Sequence, residues 1–240
     1  MYSFEGRVRY SECDENGQLS LVGMMNYLQD CSTFHCEDRA SGIRALGEQG
    51  LGWILASWQI EVDRLPMFGE KITVNTWCYQ MKSLQALRCF TICDEKGAEL
   101  VRADSQWFVY DLVAGRVCHV PECEQVYLED TPRAEMPKMD RKLPIEGEGQ
   151  TTTAITVSEQ HLDTNRHVNN AQYVLFAQDA LAELGITGEL ARLDVLYRTM
   201  AWPGDTIVPC AHECEGGHVV ELTDGAEKTY AIVRLRGKEC

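Results

Sequence analysis

The stretch Asp163-Thr164-Asn165-Arg166-His167-Val168-Asn169-Asn170-Ala171-Gln172-Tyr173 decides how this chain is read. It sets a carboxylate, a carboxamide and an imidazole at alternate positions, then runs at once into residues at helical spacing. In an extended or looping backbone, side chains at i, i+2 and i+4 point roughly the same way, so Asp163, Asn165 and His167 are expected to converge. Asn169 or Asn170 is placed to cap the following helix. Backbone N–H groups around Val168, Asn169 and Asn170, with the positive end of a helix dipole, would then lie beside the polar trio. A base, an orienting amide and an anion-stabilising helix end are the parts needed to attack an acyl carbonyl with water. The same residue types also build plain loops and caps. The run into His-Val-Asn-Asn-x-x-Tyr and an amphipathic helix sets this segment apart from an ordinary turn.

The segment has an echo. Asp14-Glu15-Asn16-Gly17-Gln18-Leu19-Ser20 parallels Asp163 to Asn169 at a constant offset, and Gln29-Asp30 falls on Gln178-Asp179 at that same offset. Each copy leads into a helical pattern. Leu21, Met24, Met25, Leu28 and Cys31 carry it in the first copy, and Tyr173, Ala177, Ala180, Leu181 and Leu184 in the second. Strand-like runs follow each helix, at 53–64, 71–80, 84–94 and 99–111, then at 190–200, 206–214, 218–223 and 228–236. One helix followed by several antiparallel strands, twice over, predicts two α+β units. The expected division is 1–119, a connector over 120–150, and 151–240. The connector holds Pro121, Pro132, Pro137 and Pro144, where regular structure would be interrupted repeatedly.

A chain of 240 residues, 45 % hydrophobic and 25 % charged, has an ordinary globular balance. The start, Met1-Tyr2-Ser3-Phe4-Glu5-Gly6-Arg7, lacks the apolar core of a signal peptide. No apolar run approaches the ~20 residues of a membrane span, so a cytoplasmic protein without membrane segments is expected. The net charge of −15 argues against a nucleic-acid partner. It also opposes an acidic protein partner at long range, so docking one would call for a local basic patch. Arg166, Arg192 and Arg198 near the polar trio, and Lys138, Arg141 and Lys142 in the connector, are the candidates. The 11 cysteines include no C-x-x-C pair and are read as small apolar residues in a reducing compartment. Cys210-Ala211-His212-Glu213-Cys214 would present S, N and S on one strand face but lacks the fourth ligand of a structural zinc site. No metal and no cofactor are expected.

The segment around His167 resembles the active-site stretch of the acyl-acyl-carrier-protein (acyl-ACP) thioesterases. The shorter His-Val-Asn-Asn element is shared with hotdog acyl-CoA thioesterases. The resemblance extends over nearly the whole chain, through Val8-Arg9-Tyr10-Ser11-Glu12-Cys13-Asp14, Trp53-Ile54-Leu55, Trp58-Gln59-Ile60, Gly69-Glu70, Arg88-Cys89-Phe90-Thr91-Ile92-Cys93-Asp94 and Trp107-Phe108-Val109-Tyr110-Asp111. These first-half segments favour the acyl-ACP enzymes. The implied fold is a tandem double hotdog, two antiparallel sheets each wrapping a central α-helix. The implied activity is hydrolysis of fatty acyl-ACP thioesters to free fatty acid and holo-ACP, by a monomer or homodimer.

On that resemblance the second unit is catalytic, with Asp163, Asn165 and His167 in the active roles and N–H groups of Val168, Asn169 and Asn170 as oxyanion donors. The first copy has Gln18 where His167 stands, and its unit is expected to hold the acyl chain. Met24, Met25, Leu28, Trp53 and Trp58 are the candidate lining, although Met and Trp at such spacing are also ordinary core. The chain departs from the family at Met200, which stands where the family carries a glutamate. The alternatives are an acyl-CoA thioesterase, a double-hotdog hydratase, and a non-catalytic acyl-binding protein.

Overall fold

The computed structural model describes residues 1–39, 42–140 and 142–238. The chain divides into two compact units, Met1–Pro137 and Lys138–Cys240. The first contains strands β1 (Tyr2–Arg7), β2 (Leu51–Val62), β3 (Lys71–Met81), β4 (Gln85–Asp94), β5 (Glu99–Asp111) and β6 (Arg116–Cys118), with helices α1 (Leu21–Asp38) and α2 (Gly42–Glu48). Its strands pair antiparallel in the order β1-β3-β4-β5-β2, with β6 on β5. The second contains β7 (Gln150–Thr151), β8 (Ile155–Thr156), α3 (Asn170–Glu183), β9 (Leu190–Tyr197), β10 (Thr206–Cys214), β11 (Gly217–Thr223) and β12 (Thr229–Gly237). There the order is β9-β12-β11-β10-β7, again antiparallel, with β8 also on β10. Each unit is one hotdog, a sheet curled over one long helix, and the chain is a tandem double hotdog.

The helices form where the apolar spacing put them. Leu21, Met24, Met25, Leu28 and Cys31 are all buried along α1, and Tyr173, Ala177, Ala180 and Leu181 along α3. Ser20 caps α1 by accepting the Gly23 N–H at 3.0 Å, and Asn169 caps α3 by accepting the Ala171 N–H at 2.9 Å. The strand-like runs 99–111 and 206–214 coincide with β5 and β10, and the others agree to within a few residues at each end. At β1, the strand alternates half-buried and exposed residues over six positions only, too short a pattern to stand out in the sequence. The helix α2 was likewise not expected; it opens on Gly42, whose φ of 57° lies in the left-handed region.

Residues 120–150 are not a bare tether. Glu122–Tyr127 forms a 3₁₀ turn whose Glu124 and Tyr127 are buried. Farther along, Arg133 donates to the buried Asp104 carboxylate at 2.7 Å and to the carbonyls of Met136 and Pro137. Burial raises the Asp104 pKa, and the Arg133 guanidinium opposes it. This charged hydrogen bond therefore straps the segment onto the first unit. In the second unit Asp140 accepts from Arg234, which also pairs with buried Asp194. Leu143 packs in a small core with Leu196, Val219 and Ile232. The prolines break regular structure as expected, and Arg133, Asp140 and Leu143 dock the segment at separate points.

One buried pair makes the first unit acid-sensitive. His35 lies fully inside, its Nδ1 facing Arg88 Nη1 at 3.1 Å. A guanidinium only donates, so Nδ1 accepts and the ring is neutral. Burial first, then the Arg88 charge, lowers the His35 pKa from 6.5 to about 4. With the folded value below the unfolded one, the unfolded chain takes up the proton first as pH falls. Stability from this group is therefore present above about pH 6.5 and lost progressively toward pH 4. Urea unfolding of a His35→Gln protein should show a flatter loss of stability across that window than the wild type. Equal slopes in the two proteins would contradict a neutral buried His35.

Candidate active site

The segment from Asp163 to His167 is a closed turn rather than an extended run. The Asp163 N–H donates to the His167 carbonyl at 2.9 Å, and the Arg166 N–H donates to the Asp163 carbonyl at 3.0 Å. One carboxylate oxygen of Asp163 accepts the Asn165 N–H at 2.8 Å, an Asx turn. The other lies 3.4 Å from His167 Nδ1. Closing the turn, and not side-chain alternation along a strand, is what brings Asp163 and His167 together.

The expected trio separates into a pair and a neighbour. Asp163 and His167 side chains are 14 % and 19 % exposed, enough to meet solvent or substrate on one side only. The Asn165 carboxamide stands on the exposed side of the same turn, and among the described residues it makes no side-chain hydrogen bond. His167 Nδ1 sits between two acceptors, the Asp163 carboxylate and the Val168 carbonyl at 3.3 Å. Both favour a proton on Nδ1, which leaves Nε2 with its lone pair free to act as a base. Trp202 packs edge-on against the imidazole, with ring centroids 6.1 Å apart and planes at 89°.

The helix end is only partly as expected. Asn169 caps α3, but the Val168 N–H donates to the Ala201 carbonyl at 3.0 Å and the Asn169 N–H to the His161 carbonyl at 2.9 Å. These two groups, expected as oxyanion donors, are spent on holding the turn. Asn170 is the first residue of α3, and its carbonyl accepts the Tyr197 hydroxyl at 3.0 Å.

The first unit repeats the turn almost bond for bond. Asp14 N–H donates to the Gln18 carbonyl at 2.8 Å, Gly17 N–H to the Asp14 carbonyl at 3.1 Å, and Asn16 N–H to the Asp14 carboxylate at 2.9 Å. Leu19 N–H donates to the Pro66 carbonyl at 2.8 Å, as Val168 does to Ala201. What differs is the side-chain chemistry. Gln18 cannot titrate, and Gly17, at φ 73°, replaces Arg166, at φ 63°. Arg166 is the one non-glycine residue at positive φ among the described residues.

Of the proposed chain-lining residues, Met24, Met25, Leu28 and Trp58 are sealed in the core. Trp53 is half-buried, donates its indole N–H to Glu124 at 2.7 Å, and packs beside Cys78, Ala86 and Tyr127. A cleft of about 470 Å³ lies elsewhere in the second unit, lined by Glu146, Glu148, Glu213 and His218 over Leu184 and Ile186. It adjoins the C-terminal end of α3, the opposite end from Asn169, and its three glutamates suit no fatty acid. Among the basic candidates, Arg192 is tied to Asp194 and Arg166 to Glu159, whereas Arg198, Lys138 and Lys142 are exposed. Arg141 lies outside the described residues. Among the described residues no three His, Cys, Asp or Glu side chains are placed to hold a metal ion, and no helix is long and apolar enough to cross a membrane. Met200 is half-buried beside Ala201 and supplies no carboxylate.

Family profiles for the acyl-ACP thioesterase N-terminal domain and C-terminal domain match residues 1–126 and 146–239. The chain belongs to the acyl-ACP thioesterase family. It is 27 % identical over 260 residues to the chloroplastic palmitoyl-acyl carrier protein thioesterase of Cuphea hookeriana, covering 96 % of this chain and 61 % of that protein. The chain spans between half and two-thirds of the length of the curated relatives it matches. Among solved structures, an acyl-ACP thioesterase from Bacteroides thetaiotaomicron superposes with a TM-score of 0.85 at 25 % identity, covering 98 % of this chain and 96 % of that one. The 12:0-ACP thioesterase from Umbellularia californica superposes at 0.83 with 18 % identity and the same coverages, which shows the shared fold.

Arg166 leaves a mark on stability. An L-residue in the left-handed region costs about 1–2 kcal/mol, and its exposed pair with Glu159 returns roughly 0–1 kcal/mol. An Arg166→Gly protein, copying Gly17, should be as stable as the wild type or more so, by up to about 1 kcal/mol, in thermal unfolding. A loss larger than that would mean the arginine side chain holds the turn.

Proposed function

We propose that this protein hydrolyses fatty acyl-ACP thioesters to free fatty acid and holo-ACP, with the second unit carrying the chemistry. The observation that supports this most is the half-buried Asp163–His167 pair at 3.4 Å, next to the N-terminus of α3. Asp163 keeps the proton on His167 Nδ1, and Nε2 takes a proton from water as the water attacks the thioester carbonyl. The same imidazolium returns its proton to the departing thiolate. Asp163 acts by orienting the ring rather than by attacking, because both its oxygens are already engaged, one by the Asn165 N–H and one by His167.

With the Val168 and Asn169 amides committed, the developing oxyanion is met by the exposed Asn165 carboxamide and by the dipole of α3. A donor of this kind is worth roughly 3 kcal/mol in acyl transfer. The first unit keeps the same turn without the titrating residue and is the acyl-chain seat. The half-buried Trp53 is its foremost lining residue, and Met24, Met25, Leu28 and Trp58 form the packed wall behind. The carrier is acidic and the protein bears a net charge of −15, so the exposed Arg198, Lys138 and Lys142 are its docking cations.

The test is a panel of acyl-ACP and acyl-CoA substrates of increasing chain length, with released fatty acid as the readout. The wild type should release fatty acid from acyl-ACP faster than from acyl-CoA. Asp163→Ala should lose roughly 10²- to 10⁴-fold, the usual worth of a positioned base. Faster acyl-CoA cleavage would reassign the carrier. Acyl-ACP binding without release, or near-normal rates in Asp163→Ala, would overturn the mechanism.

A further inference from the structure

Tyr173 lies one helical turn into α3 and is no member of the Asp163–His167 pair. Its hydroxyl accepts the N–H of Ala201 at 3.0 Å. Ala201 is fully buried, so this amide has no water to turn to, and a buried N–H without an acceptor is strongly disfavoured. The Ala201 carbonyl in turn accepts the Val168 N–H, and the next residue, Trp202, lies edge-on against the His167 ring. One residue, Ala201, therefore links the two: the Tyr173 hydroxyl holds its N–H, while its carbonyl holds the backbone beside His167 and its chain neighbour Trp202 flanks the imidazole.

The first unit makes the same connection without a hydroxyl. Pro66 occupies the place of Ala201, its carbonyl accepting the Leu19 N–H at 2.8 Å. Proline has no N–H to satisfy. The residue at the Tyr173 position there is Met24, fully buried and unable to accept a strong hydrogen bond. The two units thus pair Tyr with an N–H-bearing residue, and Met with proline. Each pairing is self-consistent, and exchanging one member alone would leave either an orphaned amide or a ring carbon pressed on a hydroxyl.

We infer that Tyr173 is a positioning residue for the hydrolysis proposed above, acting through the Ala201 N–H to hold Trp202 and the Val168 backbone against His167, and not by touching the substrate. The inference rests on the assignment of His167 as the base. Burial pushes the Tyr173 hydroxyl up to about 12, consistent with a group that stays protonated and takes no part in proton transfer.

A double-mutant cycle tests it. Tyr173→Phe removes the acceptor while keeping the ring packed on Phe176 and Tyr197. It should lower kcat on acyl-ACP by about tenfold to a hundredfold, as a small misplacement of a catalytic group does. KM should change little, and the His167 ring resonances and their pH titration should shift by NMR. Ala201→Pro alone should be slow as well, because the proline ring meets the Tyr173 hydroxyl. The double variant Tyr173→Phe/Ala201→Pro removes donor and acceptor together and should recover most of kcat and the wild-type His167 resonances. If that protein fails to fold, Tyr173→Met/Ala201→Pro, which copies Met24 and Pro66, replaces it in the cycle. A Tyr173→Phe enzyme with wild-type kcat would overturn the inference. So would a folded double variant as slow as Tyr173→Phe, which would make the hydroxyl a participant in the chemistry. If the wild type itself releases no fatty acid, the proposed function fails. The His167 resonances across the cycle then still decide whether Tyr173 positions that ring.

Discussion

A single carboxylate organises the second unit's site. Asp163 closes its own turn by accepting the Asn165 N–H, and its other oxygen faces the imidazole four residues on. Both contacts come from one side chain, so the placement of the imidazole and the shape of the loop are not independent. The loop must be tight enough to bring position 163 against position 167, and half-buried enough that the pair feels little water. Its outer edge is then pinned through main-chain bonds from Val168 to Ala201 and from Asn169 to His161. Those bonds also explain why two amides that a helix N-terminus would offer to an anion are not on offer here.

The first unit shows the same scaffold without the imidazole. The same turn, the same cap and the same supporting carbonyl recur around Asp14, Ser20 and Pro66. Gln18, Gly17 and Met24 replace His167, Arg166 and Tyr173. The backbone is thus specified twice and the Asp–His pair once. The strained φ of Arg166 has its counterpart in a glycine that adopts the same conformation at no steric cost. The hydroxyl of Tyr173 has its counterpart in a proline that needs no acceptor.

Much of this was legible in the sequence. The helical spacing of Leu21 to Leu28 and of Tyr173 to Leu181 marks the two buried helices, because burial on one face imposes the period. The Asp-x-Asn repeat at constant offset discloses the duplicated turn before any coordinates. Three features were not legible, each for a physical reason. The turn brings Asp163 to His167 by closing on itself, which residue alternation does not encode. The commitment of the Val168 and Asn169 amides depends on Ala201 and His161, the first of them more than thirty residues away. The docking of the proline-rich segment rests on long-range charged bonds, Arg133 to Asp104 and Arg234 to Asp140, that no local pattern announces.

If the duplicated turn carries hydrolysis only where it holds an imidazole, then making the second copy resemble the first should silence it without unfolding it. The direct measurement is fatty acid release from acyl-ACP by a His167→Gln protein, alongside its thermal unfolding. Release should fall to background while the unfolding midpoint stays near that of the wild type, since Gln18 already sits in the same turn. Sustained release by a folded His167→Gln protein would contradict the account.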